Sequence, residues 1–174
     1  MQAQITLVLG GAASGKSAWA EAHVTASGLP RIYIATAQAH DREMAEKIAA
    51  HQAQRGADWQ TVEAPQDLSA ALNAVPAGHV VLVDCATMWL SNRLLAGAGL
   101  AAECETLVSA LADCASPVVV VSNEVGQGIV PESALARQFR EVQGRLNRQI
   151  AARAEQVVAV MAGLPLALKG GLSW

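Results

Sequence analysis

The chain has 174 residues and a formal net charge of −3, and 52% of it is hydrophobic but only 3% aromatic. That length suits one domain with a proper core, packed by alanine and aliphatic side chains rather than rings. The mild charge argues against a protein that coats a polyanion, and no stretch reaches the roughly 18 uninterrupted apolar residues of a membrane helix.

The first predicted element is the strand Ile5-Thr6-Leu7-Val8-Leu9, a short apolar run. Residues 5–13 are apolar enough for a secretory leader, but no basic segment precedes them and the run ends in a glycine-rich loop, which excludes that reading. The loop has the spacing G-x-x-x-x-G-K-S, with Gly10, Gly15, Lys16 and Ser17 in the fixed places and Gly11, Ala12, Ala13 and Ser14 between. Its glycines let backbone N–H groups converge on phosphate oxygens. Lys16 reaches the β- and γ-phosphates, Ser17 offers a hydroxyl to Mg²⁺, and the helix that starts here aims its positive end at the same anion. A strand before and a helix after are the context such a loop needs.

A helix over 16–27 ends near Gly28-Leu29-Pro30, and Arg31–Ala35 is a second strand followed by Thr36-Ala37-Gln38. Asp41 caps a predicted helix reaching Arg55, on which Met44 and Ile48 face inward and Glu43, Lys47, His51 and Arg55 share one polar face. Trp59–Glu63 reads as a small strand, 66–75 as a short helix, and Val80–Asp84 as a strand buried on both faces. Helices follow over 87–96 and 100–115, the second placing Cys104 and Cys114 on an apolar stripe. The strand 117–122 leads into the loop Asn123–Pro131, long enough to suggest function. The helix 133–153 carries the stripe Leu135, Phe139, Val142, Leu146, Ile150, with Arg137, Arg140, Arg145 and Arg148 outside it as a solvated face or as phosphate clamps. A last strand over 156–161 ends in Gly163-Leu164-Pro165, where the chain turns toward its end.

Strands alternating with helices predict βαβ units and a mostly parallel sheet covered on both faces, in one α/β domain spanning residues 1–174. Ligands of such sheets bind beyond the carboxyl ends of the strands. Asp84 ends its strand, as an acid that holds Mg²⁺ beside Ser17 or as a simple helix cap, and the phosphate loop favours the metal role. Glu124 reads equally as a base or second acid near the metal and as a plain loop carboxylate. The three cysteines have no spacing for zinc or disulfides, which fits a reducing cytoplasm. Surface placement is the default for His23, His40, His51 and His79. His51 alone shares its helix face with Lys47 and Arg55, cations that would assist nucleophilic attack on an α-phosphorus.

Taken together, the loop Gly10–Ser17, Tyr33-Ile34-Ala35-Thr36-Ala37-Gln38, the segment Asp41–Arg55, Trp59 with Glu63, Asp84–Asn92 and Ser122–Pro131 resemble one family. It is the bifunctional adenosylcobinamide kinase / adenosylcobinamide-phosphate guanylyltransferase family of cobalamin biosynthesis. The resemblance implies a RecA-like P-loop nucleoside triphosphate hydrolase fold and a cytoplasmic enzyme that can assemble as a homo-oligomer, including a trimer. ATP or GTP would phosphorylate adenosylcobinamide. GTP would then guanylylate a histidine, matched here by His51, and the GMP would pass to adenosylcobinamide phosphate to give adenosylcobinamide-GDP. Lys16 is the second catalytic residue so implied. Nucleotide contacts carry over to Gly10 through Ser17, to Ile34, Ala35 and Thr36, to Gln52, Ala53, Gln54 and Arg55, and to Glu63 and Asp84. One departure is Ala86, where a larger apolar side chain is expected.

Two other readings fit the phosphate loop by itself: a plain P-loop small-molecule kinase without guanylyl transfer, and a RecA-like nucleotide-dependent binding module. The absence of interleaved aromatic and basic residues argues against nucleic acid as the partner of such a module.

Overall fold

The computed structural model describes residues 4–38, 45, 46, 49 and 58–172. Alternation of β-branched and apolar runs with alanine-rich segments gives β1 (Ile5–Gly10), α1 (Lys16–Ala26), β2 (Arg31–Ala35), β3 (Trp59–Glu63), α2 (Leu68–Asn73), β4 (Val80–Asp84), α3 (Ala86–Leu95), α4 (Leu100–Asp113), β5 (Val118–Asn123), α5 (Ala134–Arg153), β6 (Gln156–Met161) and β7 (Leu164–Lys169). Residues 45, 46 and 49 are helical. The remainder of the predicted 41–55 helix lies outside the described residues.

The strands form one sheet in the order β3-β2-β4-β5-β1-β6-β7. All neighbours run parallel except β7, which returns antiparallel beside β6. The expected turn at Gly163-Leu164-Pro165 is therefore corrected: the turn is tighter, and Leu164 and Pro165 already belong to a strand. Ala162 (φ 51°) and Gly163 (φ 76°) are both left-handed, the conformation a two-residue hairpin needs to match strand twist. Pro165 is tolerated because β7 is an edge strand.

Side-chain alternation splits the sheet into two cores. On one face, Leu7, Ile34, Val83 and Val120 pack with Leu68 and Leu72 of α2, Trp89 and Leu90 of α3, Leu107 and Leu111 of α4, and Leu146 and Ile150 of α5. On the other, Val8, Tyr33, Leu82, Val121 and Val158 pack with Ala20 and Val24 of α1. Cys104 and Cys114 are buried, as the stripe predicts. Ala86 is fully buried in the first turn of α3, so its small side chain is accommodated inside the core.

His23 corrects the surface default. It is 7% exposed and stacked on Trp19, with ring centroids 4.7 Å apart, and burial lowers its pKa below the usual imidazole value. It sits one helical turn beyond Ala20, on the side of α1 that covers the sheet.

Candidate active site

The carboxyl edge of the sheet carries those of the sequence-predicted residues that are described. In register, Gly10 of β1 lies beside Asn123 of β5, and Glu63 of β3 lies beside Ala35 of β2, which pairs with Asp84 of β4. The loop after β1 is shaped by sterics. A Cβ on Gly10 would run into Ser14 Oγ and come within 2.7 Å of the Val160 carbonyl, and one on Gly15 would lie 3.0 Å from Gly163 Cα. Ala13 (φ 55°) and Gly15 (φ 91°) take left-handed conformations, which turn successive N–H groups toward one point. The β6–β7 turn buttresses this loop, because Gly163 N–H donates to the Ser14 carbonyl at 2.8 Å. Lys16 Nζ donates to the Gly11 carbonyl at 3.0 Å, and Ser17 follows in the first turn of α1. Ser14 Oγ is buried without a hydrogen-bond partner among the described residues.

Asp84 faces the same side of the sheet as α1, since it continues the alternation of Val80 and Leu82. The Tyr33 hydroxyl donates to its Oδ2 at 3.1 Å, holding the carboxylate at the strand end. Lys16 and Asp84 both act on the Cys85 thiol. Burial and the Asp84 carboxylate push its pKa up to about 11, against a smaller opposing pull that includes Lys16. Cys85 is thus a protonated thiol whose Sγ accepts from Met88 N at 3.4 Å, capping α3.

Thr36 and Ile34 offer a ligand no surface, each being fully buried. Ile34 lies in the core. The Thr36 hydroxyl donates to the Cys85 carbonyl at 2.7 Å and accepts from Cys85 N at 2.8 Å, a clamp that ties the end of β2 to the residue after Asp84. Asn92 reinforces it, donating to the carbonyls of Thr36 and Pro65 at 2.8 and 2.9 Å. Ala35 is partly buried, and Glu63 is exposed at the end of its strand. His51, Gln52, Ala53, Gln54 and Arg55 lie outside the described residues.

Glu124 and the arginines find partners that sequence reasoning did not anticipate. Glu124 N–H donates to the Gly10 carbonyl at 3.0 Å, and its Oε1 accepts from Gly126 N at 2.6 Å. Arg137 donates to the carbonyls of Pro131 and Glu132, and Arg140 to those of Ile129 and Gly126. Arg137 is exposed and Arg140 partly so, on the solvated face the sequence suggests, and both brace the loop after β5. Its apex is apolar and open, with Ile129 97% and Val130 71% exposed.

A buried polar group behind the loop was also missed. Ser122 Oγ donates to Asn147 Oδ1 at 2.6 Å, and Gln143 Nε2 donates to Ser122 Oγ and to Asn147 Oδ1, each at 2.9 Å. Gln143 and Asn147 are four apart on α5, beside the apolar stripe. That spacing on one face is the only signal the sequence offers.

The geometry thus joins a phosphate-binding loop, a helix N-terminus and a strand-end carboxylate on one face of the sheet. The model of the cobinamide kinase / cobinamide phosphate guanyltransferase family, CobU, matches residues 6–168. The chain belongs to this family. Among its relatives, the bifunctional adenosylcobalamin biosynthesis protein CobP of Pseudomonas aeruginosa is 47% identical over 167 residues, covering 94% of this chain and 96% of the relative. The bifunctional adenosylcobalamin biosynthesis protein CobU of Escherichia coli is 41% identical over 179 residues, covering 94% of this chain and 98% of the relative. Among solved structures, the RadB recombinase superposes with a TM-score of 0.51 at 20% identity, over 90% of this chain and 73% of that one. This likeness bears on the fold alone and agrees with the expected RecA-like arrangement. Membership of the CobU family makes the chain an enzyme of the kinase and guanyltransferase class, and its P-loop fold takes nucleotide substrates. No described helix is long and apolar enough to cross a membrane.

Proposed function

We infer that the chain carries out both reactions of its family on one corrinoid, with the loop Gly10–Ser17 holding the triphosphate for each. The observation that supports this is the shared edge. Lys16, Ser17 and Asp84 lie on one face of the sheet, and the segment carrying His51 leaves that same edge from the end of β2. In the first reaction the aminopropanol hydroxyl of adenosylcobinamide attacks the γ-phosphorus of ATP or GTP. The bond to the bridging oxygen breaks and the nucleoside diphosphate leaves. In the second, the His51 imidazole attacks the α-phosphorus of GTP and pyrophosphate leaves. A phosphate oxygen of adenosylcobinamide phosphate then displaces the histidine to give adenosylcobinamide-GDP.

Lys16 and the N–H groups of residues 11–16 would carry the developing phosphate charge. Ser17 and Asp84 would hold Mg²⁺, which supplies charge neutralisation on the phosphates. The donor set, one carboxylate and one hydroxyl, fits that ion, because Mg²⁺ commonly takes one or two carboxylates with phosphates and water. Glu63, exposed at the far strand end, and Gln52 to Arg55 would contact the nucleotide away from its phosphates, whereas Ile34, Ala35 and Thr36 would act by shaping the floor of the site.

The experiment is product analysis with adenosylcobinamide, GTP and Mg²⁺. Accumulation of adenosylcobinamide-GDP is the expected result; accumulation of adenosylcobinamide phosphate alone would make the chain a plain kinase.

Self-association belongs to the same reading. Leu164, Leu166 and Leu168 of β7 are 72%, 57% and 57% exposed, alternate residues on one uncovered face. Pro165 blunts the strand's edge against sheet extension, which leaves that face for packing on a second copy. Leu166→Glu is expected to move the protein to a smaller assembly in sedimentation velocity, without altering its far-ultraviolet circular dichroism. An unchanged sedimentation coefficient would remove β7 from the interface.

A further inference from the structure

The residues assigned so far leave out the strand between the phosphate loop and Asp84. β5 separates β1 from β4 in the sheet, so about 10 Å lies between the loop strand and the Asp84 strand at ordinary strand spacing. Asn123 ends β5, beside Gly10 in register and two residues beyond Val121, the partner of Asp84. Alternation along β5 directs Val119 and Val121 to the α1 face, and Asn123 continues that series. Its side chain is partly exposed and makes no hydrogen bond with any described residue. Both its main-chain groups, in contrast, are held. Asn123 N–H donates to Thr87 Oγ1 at 2.7 Å, and its carbonyl accepts from Asn147 Nδ2 at 3.1 Å.

The holders are themselves locked. Ser122, whose side chain goes to the opposite face, joins Gln143 and Asn147 in the buried network, and Gln143 and Ser122 are fully buried. Glu124 N–H fastens the next residue to the Gly10 carbonyl. The result is an amide on a fixed backbone, at the end of the strand that lies between the phosphate loop and Asp84, the two groups that would hold the triphosphate and its metal in phosphoryl transfer.

We propose that Asn123 is a catalytic residue of the kinase step, its side-chain amide donating to the transferring γ-phosphoryl group, and that Thr87 and Asn147 are positioning residues that act through its backbone. The donor matters most in the transition state. Lys16 and the N–H groups of the loop already supply ground-state binding, so one more amide adds little to it, whereas charge moving on the γ-oxygens gains from a pre-aimed donor. This rests on the kinase activity of the family and not on His51.

The test is steady-state transfer from γ-labelled ATP to adenosylcobinamide by Asn123→Ala, Asn123→Asp and Asn147→Asp. Loss of a single such donor is worth about 100-fold or more in kcat. Asn123→Ala is therefore expected to lose about 100-fold in kcat with the KM for ATP moved less than about threefold. Asn123→Asp, which turns a carboxylate toward the phosphates, is expected to lose more. Asn147→Asp keeps the acceptor for Ser122 and Gln143 but removes the donor to the Asn123 carbonyl, and is expected to lose about tenfold in kcat with the same split. Asn123→Ala or Asn123→Asp retaining kcat within threefold, or a loss carried by KM, overturns the proposal. Repeating the comparison in a His51→Ala background separates the two claims. The Asn123 effect persists there, and a wild-type chain that never takes up GMP counts against the guanylyl reading only.

Discussion

Replacing Lys16 by alanine is expected to cut phosphoryl transfer and guanylyl transfer together, each by about 100- to 1,000-fold in kcat. The ammonium is the one mobile cation built into the loop, at the first residue of α1 and 3.0 Å from the Gly11 carbonyl. In both reactions negative charge accumulates on a polyphosphate, as nucleoside diphosphate in one and pyrophosphate in the other. A single loop serving both reactions makes the two losses parallel. The fold should tolerate the change, because Lys16 is only half-buried and its one side-chain hydrogen bond among the described residues is to its own loop. Thermal unfolding within a few degrees of wild type checks that point. Loss of one reaction with the other intact would mean that a second phosphate site exists and that Gly10–Ser17 serves only one of them.

Replacing His51 by alanine is expected to divide the reactions instead. Incubation with α-labelled GTP should leave no label on the variant, because the imidazole nitrogen is the atom that displaces pyrophosphate. Phosphorylation of adenosylcobinamide should stay within about threefold of wild type, since Lys16, Ser17 and Asp84 are untouched and a hydroxyl of the substrate is the nucleophile there. Acid-labile label persisting on the variant would sink the assignment of His51. Simultaneous loss of the kinase would instead give the residue a binding role shared by both steps.

The legibility of this protein in its sequence follows physical lines. The strands Arg31–Ala35, Val80–Asp84 and Gln156–Met161 are found where their apolar runs predict them, because burial on a sheet face imposes that pattern directly. Strand β7 is not legible because glycine and proline read as an ending. Ala162 adopting a left-handed turn has no compositional mark, and an edge strand accepts Pro165 at little cost. His23 was misplaced by residue type, although its spacing from Ala20 already put it on the covered side of α1.

The site shows the same division. Gly10, Gly15, Lys16, Ser17 and Asp84 stand out in the chain because the chemistry proposed for them is tied to a spacing. The contacts around the site do not stand out: Tyr33 on Asp84, Thr36 on Cys85, Gly163 on Ser14 and Asn147 on Asn123 join residues 51, 49, 149 and 24 positions apart. Polar residues buried for such contacts look, in hydropathy alone, like polar residues on a surface. Gln143 and Asn147 of α5 illustrate it, since both are buried and engaged with Ser122 and Asn123, to which no periodicity connects them.

The guanylylated histidine is the one covalent intermediate of the proposed sequence, and a pulse and chase measures it most directly. The wild-type chain incubated with α-labelled GTP and Mg²⁺ should take up acid-labile label approaching one GMP per chain, with release of pyrophosphate. After removal of free nucleotide, addition of adenosylcobinamide phosphate should transfer that label into adenosylcobinamide-GDP. Label that never forms, or that forms and is not passed to adenosylcobinamide phosphate, would contradict the guanylylated-histidine mechanism.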